Sequence, residues 1–308
     1  MTQSFYSNGK LLITGEYVVL DGANALALPT KLGQHLDVES IVEPKIIWTS
    51  LDEKGTIWFQ DTFNIETLTS VTENTKDPVS KQLTALLKTV KRENPNFLRQ
   101  EKNNEGYKVT TRLEFPRDWG LGSSSTLINN LALWGNVNPF TLLFRSFGGS
   151  GYDVACAQKN TAIIYRIGQP PLVEEIKFNP LFKDELFFVH RNKKQNSRDS
   201  ISTYSKNKTN TPVVIDKINA ITAKLLEANN RKVFDSLITE HESLIGEITN
   251  QIPIKLELFP DYKNAIKSLG GWGGDFILVT GPKDYVYDYF NKKGYTTIIS
   301  YNALIIGN

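Results

Sequence analysis

The stretch Gly148–Gln158, G-G-S-G-Y-D-V-A-C-A-Q, sets one carboxylate, Asp153, just behind three glycines. The pattern ends one short helical run and starts another, so Asp153 falls in a first helical turn, near the positive end of the helix dipole. Glycines 148, 149 and 151 let the backbone approach a ligand with no Cβ in the way. Such a residue suits a fixed acid or base at a pocket floor, and the same pattern also describes a carboxylate capping an ordinary helix.

A second candidate is G-L-G-S-S-S-T, residues 120–126, lying between a strand and a helix. Glycines allow successive N–H groups to point into one concavity, and serine hydroxyls add donors for phosphate oxygens or ligands for a metal ion. It is not a Walker loop, because no Gly-Lys-[Ser/Thr] ends it. Lys10, beside Gly9, could reach a phosphate or simply lie at the surface, and Glu16 could orient Lys10 or a ligand, or be a solvated turn residue. Lys193, Lys194, Gln195, Asn196, Ser197 and Arg198 form a basic loop that would hold a phosphorylated or carboxylated substrate, or stand as a solvated tip. G-G-W-G-G-D, residues 270–275, reads as a tight turn before a strand, or simply as a helix C-cap at Gly270. His241 lies on an apolar helical face and reads as a packed core residue, and Cys156 as a small buried one.

Composition narrows the field. With 308 residues, 40% hydrophobic and 22% charged, the chain is long enough for two domains with real cores. Thirty-five basic against 33 acidic residues leave a net charge of +2, which implies no general attraction to nucleic acid or to a membrane. One cysteine excludes an intrachain disulfide, and three scattered histidines form no zinc motif. No secretory signal and no run of 18 apolar residues is present, so a cytoplasmic protein is expected.

These residues need elements to hold them. Lys10–Thr14, Tyr17–Leu20 and Ala25–Leu28 read as strands, with Asp21-Gly22 as a hairpin turn. Leu36 and Val38, Ile46–Trp48 and Ile57–Phe59 read as further antiparallel strands. Asp77 caps and Pro78 opens a helix carrying Val79, Leu83, Leu86, Leu87 and Val90. Tyr107, Val109, Thr111, Leu113 and Phe115 alternate along a strand that feeds the Gly/Ser turn and a helix with Leu127, Ile128, Leu131 and Trp134. Pro139 starts the helix that leads to Asp153. Thr161–Ile167 is a strand and Gln169-Pro170-Pro171 a domain boundary. Beyond it, strands at Ile176–Phe178 and Leu186–His190, two helices, a helix over Pro260–Leu269, a strand at Phe276–Thr280, a helix from Pro282 and a strand at Thr296–Tyr301 are expected. The fold class is α+β.

Taken in order, these motifs resemble the GHMP kinases, the superfamily of galactokinase, homoserine kinase, mevalonate kinase and phosphomevalonate kinase. N-G-K-L-L-I-T-G-E-Y-V-V-L-D-G-A-N-A-L-A resembles the first family motif and G-L-G-S-S-S-T the ATP phosphate loop. G-S-G-Y-D-V-A-C-A is similar to the segment of the catalytic aspartate, and G-G-W-G-G-D to the glycine-rich third motif. Tyr17 in place of histidine after Gly15-Glu16, and Asp275 closing the glycine turn, are nearer the phosphomevalonate kinase type than the mevalonate kinase type.

The resemblance implies a ribosomal-protein-S5-like N-terminal domain, residues 1–170, and a ferredoxin-like C-terminal domain, residues 171–308. It implies an ATP-dependent kinase of the mevalonate pathway, using Mg2+ and taking phosphomevalonate, with mevalonate, or ligand binding without turnover, as alternatives. Asp153 and Lys10 would be catalytic. Gly120, Leu121, Gly122, Ser123, Ser124 and Ser125 would hold ATP, with Ser123 and Ser124 also at the metal. Glu16, Ser150, Gly151, Lys193, Lys194, Ser197, Gly273, Gly274 and Asp275 would face the substrate. The partner is a small phosphorylated or hydroxy-acid molecule, and a homodimer is compatible with the reading. Three departures stand out: no acid occupies Thr141–Phe144, where mevalonate kinases place a magnesium ligand, Trp272 replaces a small residue, and Ser125-Thr126 replace alanines.

Overall fold

The computed structural model describes residues 2–72, 77–99, 105–193, 204–205, 211–272 and 275–307. Its elements, in chain order, begin with β1 (Thr2–Leu12), β2 (Ala25–Ile41), β3 (Lys45–Leu51), β4 (Ile57–Asn64), α1 (Pro78–Glu93) and β5 (Gly106–Leu113). Then come α2 (Ser123–Gly135), α3 (Pro139–Ser146), α4 (Tyr152–Ala157), β6 (Ala162–Arg166), β7 (Leu172–Ile176) and β8 (Leu186–His190). The remainder is α5 (Thr211–Glu227), α6 (Arg231–Thr249), α7 (Ile254–Leu258), β9 (Ile266–Ser268), β10 (Phe276–Thr280), α8 (Lys283–Lys292), β11 (Ile298–Ser300) and α9 (Tyr301–Leu304). The α+β class expected from the sequence is the one observed.

Two compact units interleave along the chain: residues 1–9, 32–117 and 122–158 form one, and 10–31, 118–121 and 159–308 the other. In the first, strands run in the order β4-β3-β5-β2, with β3 and β5 parallel and the other pairs antiparallel. Trp48, Phe63, Leu86, Leu87, Val90, Val109, Ile128, Leu131 and Leu142 fill the core between this sheet and its helices. α1 forms as its sequence predicts: Asp77 accepts hydrogen bonds from the N–H groups of Val79 and Ser80, satisfying two first-turn donors, and Pro78 needs none.

In the second unit, Ala25–Ala27 of β2 pair with β6, and β6 pairs with β7, all antiparallel. A separate four-stranded antiparallel sheet has the order β11-β8-β10-β9. Phe187, Val189, Phe259, Ile266, Ile277, Val279, Val286 and Phe290 form the core against this sheet. α5 and α6 pack together, and α6 also packs on β9.

Three local expectations are corrected. Tyr17–Leu20 is not a strand: Val18–Asp21 form a 3-10 turn, and Gly22, at φ 99, is its left-handed C-cap, so the positive φ of the Asp-Gly pair ends a helical turn where a hairpin was expected. Pro260–Leu269 is not a helix. Tyr262, Ala265, Ile266 and Leu269 keep helical spacing, yet Ile266–Ser268 pair with Ile277–Val279, while Ala265 N–H bonds the Thr280 hydroxyl and Tyr262 O–H the Thr280 carbonyl. Sheet pairing outcompetes the periodicity in this stretch. β7 lies at Leu172–Ile176, earlier than the expected Ile176–Phe178, and Phe178 is a buried residue beyond it.

Candidate active site

The Gly/Ser turn adopts the backbone its composition requires. Gly120 has φ 64 and Gly122, the N-cap of α2, has φ 93, both left-handed. β1 stitches the turn in place: Lys10 N–H donates to the Leu121 carbonyl at 2.9 Å and Lys10 Nζ to the Gly120 carbonyl at 3.0 Å. Leu121 is fully buried, which anchors the turn from beneath. The Ser125 hydroxyl donates to the Gly122 carbonyl at 2.8 Å and Ser125 is 1% exposed, so it braces the helix. Ser123 and Ser124 keep accessible hydroxyls with no side-chain partner among the described residues. Amides of a first helical turn beside accessible hydroxyls are groups able to bind an anion such as phosphate.

Behind this turn, α2 is locked by buried polar groups that sequence reading missed. Thr126 Oγ1 donates to Gln34 Oε1 at 2.7 Å, Asn130 Nδ2 to the Gln34 carbonyl at 2.8 Å, Ser7 Oγ to Asn130 Oδ1 at 2.6 Å, and Asn129 Nδ2 to Ser7 Oγ at 2.9 Å. The signal was the Asn129-Asn130 pair inside an otherwise apolar helix.

Asp153 lies in the first turn of α4, a six-residue helix capped by left-handed Gly151, φ 93. It is half-buried, and its Oδ1 accepts from Val154 N–H at 3.0 Å. Gly151 and Ser150 are buried beside it, and α4 packs against α2 and α3. α3 carries no acid, only Arg145, which pairs with Glu93.

Asp275 opens β10 in a strained conformation, φ 54, held from both sides: its N–H donates to the Lys193 carbonyl and its carbonyl accepts from Arg191 N–H, each at 2.7 Å. It packs directly on the first glycine of the turn, since a Cβ at Gly120 would lie 2.2 Å from Asp275 Oδ2. Arg191 is half-buried with its Nε unpartnered among the described residues, and desolvation holds its pKa down. Lys193 is exposed. Trp272 is buried at φ 43, its indole N–H without a partner among the described residues. Lys194, Ser197, Gly273 and Gly274 lie outside the described residues.

Glu16 is not a solvated turn residue. It is 1% exposed, and Lys267, itself 0% exposed on β9, donates to its Oε1 at 2.5 Å. Lys267 Nζ also donates to the Ser268 carbonyl at 3.0 Å and lies 3.5 Å from Glu242 Oε1, while Ser268 Oγ donates to Glu242 Oε2 at 3.0 Å. His241 is buried, as its apolar face predicts, but it is also bonded: its Nε2 accepts from Gly15 N–H at 3.0 Å. A ring nitrogen that accepts carries no proton, so His241 is neutral, and burial holds its pKa well below the ordinary 6.5. Burial raises Glu16 and pushes Glu242 up to about 7. Nothing in the spacing of Glu16 and Lys267, 251 residues apart, could have paired them.

Among the described residues no group of three His, Cys, Asp or Glu side chains could hold a metal ion, and no helix is long and apolar enough to cross a membrane. The oxygen donors at the turn, two accessible hydroxyls, fit a magnesium ion that keeps waters and phosphates as most of its ligands.

The chain has the fold of the GHMP kinases. It aligns over 100% of its length with 99% of the Methanococcus jannaschii mevalonate kinase, TM-score 0.73 at 16% identity. Streptococcus pneumoniae phosphomevalonate kinase, solved with phosphomevalonate and AMPPNP, aligns over 97% of this chain and 99% of that one, TM-score 0.69 at 15% identity. Lactococcus lactis galactokinase complexed with galactose aligns over 100% and 94%, TM-score 0.69 at 14% identity. No protein-family description matches the chain, and no curated protein matches it by sequence.

Proposed function

We propose that the chain is an ATP-dependent kinase of a small anionic acceptor, and that the acceptor is phosphomevalonate. The observation that carries this reading is the turn at Gly120–Ser124, where a left-handed glycine opens α2, two accessible hydroxyls flank first-turn amides, and Lys10 is tied to the turn's carbonyl. The fold likeness to mevalonate and phosphomevalonate kinases supports it. The basic end of β8, with Arg191 and Lys193 bonded through their backbones to Asp275, supports an acceptor that already bears a phosphate.

Phosphoryl transfer asks for alignment and charge neutralisation more than for covalent help. In this proposal the amides of Gly120, Leu121, Gly122, Ser123 and Ser124 hold the triphosphate, and the hydroxyls of Ser123 and Ser124 hold Mg2+, which neutralises phosphate charge when bound. Lys10 steadies the transferred group. Asp153 orients the acceptor oxygen; a phosphate acceptor is already ionised near neutral pH, so Asp153 need not remove a proton. Arg191, Lys193, Lys194 and Ser197 are assigned to the acceptor's own phosphate, and Ser150, Gly151, Gly273, Gly274 and Asp275 to contacts with the acceptor. Glu16, sealed by Lys267, is given no contact with substrate.

The test is ADP release from Mg-ATP with phosphomevalonate, mevalonate and galactose supplied in turn. Phosphomevalonate is expected to be turned over fastest. A preference for mevalonate would reassign the acceptor, and no ADP release with any of them would overturn the kinase reading. Asp153→Asn should lower kcat by about 100-fold or more, as misplaced reactants do; undiminished turnover would remove Asp153 from the site.

A further inference from the structure

Glu16, Lys267 and Glu242, with neutral His241 beside them, form an ionisable cluster that is 0–3% exposed throughout. A buried ion pair repays its desolvation poorly, and apolar residues of similar volume stabilise a core as well or better. What such a pair supplies is direction, because hydrogen bonds fix angle and register where apolar contacts slide.

The cluster closes a ring within the second unit. Lys10 and Glu16 lie on one continuous segment, β1 and the residues after it. Lys10 Nζ reaches the Gly120 carbonyl at 3.0 Å, and Asp275 packs on Gly120 so closely that a Cβ there would lie 2.2 Å from Oδ2. Asp275 directly precedes β10, whose Ile277–Val279 pair with Ile266–Ser268 of β9, and Lys267 of β9 returns to Glu16 at 2.5 Å. The segment at Thr14–Glu16 is gripped from other sides as well: Thr14 Oγ1 accepts from Thr222 of α5 at 2.8 Å, and Gly15 N–H donates to His241 of α6 at 3.0 Å.

We infer that Lys267 is a positioning residue for phosphoryl transfer: its bond to Glu16 sets how far apart Lys10 and Asp275 stand around Gly120. For its activity arm this inference rests on the kinase reading; its structural arm does not.

The experiment compares the full-length wild type with Glu16→Met/Lys267→Met, which replaces the pair by apolar side chains, and with Lys267→Arg, which keeps the charge and changes its geometry. Hydrogen exchange of the ligand-free proteins is followed over residues 9–17, 118–122 and 264–277, alongside melting temperature, kcat and KM for ATP. The double variant should melt within about 5 °C of wild type. Exchange over 118–122, where no residue is substituted, should rise about 10-fold or more, and kcat should fall by about 10-fold or more. Lys267→Arg should fall between the two. Exchange over 118–122 that stays at the wild-type rate in both variants overturns the inference, as does full kcat in the double variant. A wild type that releases no ADP defeats the kinase reading instead, and the exchange comparison then decides this inference by itself. Should the double variant fail to fold, Lys267→Arg supplies the same comparison.

Discussion

At Gly120 two constraints coincide. Its φ of 64 is one that residues with a Cβ adopt at a cost, and the space a methyl group would fill is held by the Asp275 carboxylate, 2.2 Å away. Gly120→Ala must therefore displace Asp275 or flatten the turn; the left-handed backbone alone costs about 1–2 kcal/mol. ATP affinity measured by calorimetry should drop by about 10-fold or more with the fold retained, and unchanged affinity would mean the turn does not touch nucleotide. Glu242 gives a pH signature. Burial lifts its carboxyl from the ordinary 4.5 to about 7, so the folded protein holds this proton more tightly than the unfolded chain. The stability linked to it is complete below pH 4.5 and lost as pH rises through 7. Glu16, also raised, acts with the same sign, and His241, lowered, acts with the opposite sign below pH 6.5. Glu242→Gln should flatten the fall in unfolding free energy between pH 5 and pH 8 by about 2–3 kcal/mol; urea titrations at the two pH values measure it. Asp153 and the serines stand out in the sequence as candidates for chemistry because glycines flank them. Lys267 was not, since a lysine between isoleucine and serine looks like any surface lysine until Glu16 is folded against it.

Helices that carry their own start signals were read correctly. Asp77-Pro78 and Asn138-Pro139 each place a capping side chain before a proline, and both caps form. Where two periodicities overlap, as over residues 260–269, local pattern misleads and the partner strand β10 decides. The same lesson applies inside α2. Its apolar positions were legible, but the places of Asn129 and Asn130 were not: both are buried and bonded to Ser7 and Gln34. Asn130→Leu would leave the Ser7 hydroxyl and the Gln34 carbonyl short of partners in a dry site. The expected loss is about 2–3 kcal/mol by chemical denaturation, with weaker nucleotide binding because α2 carries the Ser123–Ser124 turn.

For the whole molecule, a ligand that binds only the folded state raises stability by mass action. ATP with Mg2+ at 100 times its Kd adds about 2.7 kcal/mol, or a rise of about 5 °C in melting temperature for a chain of this size. Chelating the divalent ion should cut that rise to less than half, because in the proposed site bare triphosphate charge would then face only Lys10 and the turn amides; an equal rise without metal would remove Ser123 and Ser124 as metal ligands. The α+β class was legible from motif order and element spacing. The interleaving of the units was not, because it depends on strand pairings between residues far apart in the chain. β2 belongs to both: its early residues, Ala25–Ala27, join β6, and its later ones, Gln34–Ile41, join β5. One unbroken ribbon of backbone is thus common property. No single cut in the backbone parts the units cleanly: residues 1–158 hold the whole of the first but carry residues 10–31 and 118–121 of the second with them, so a fragment of either unit alone will have to be stitched from separate stretches of chain.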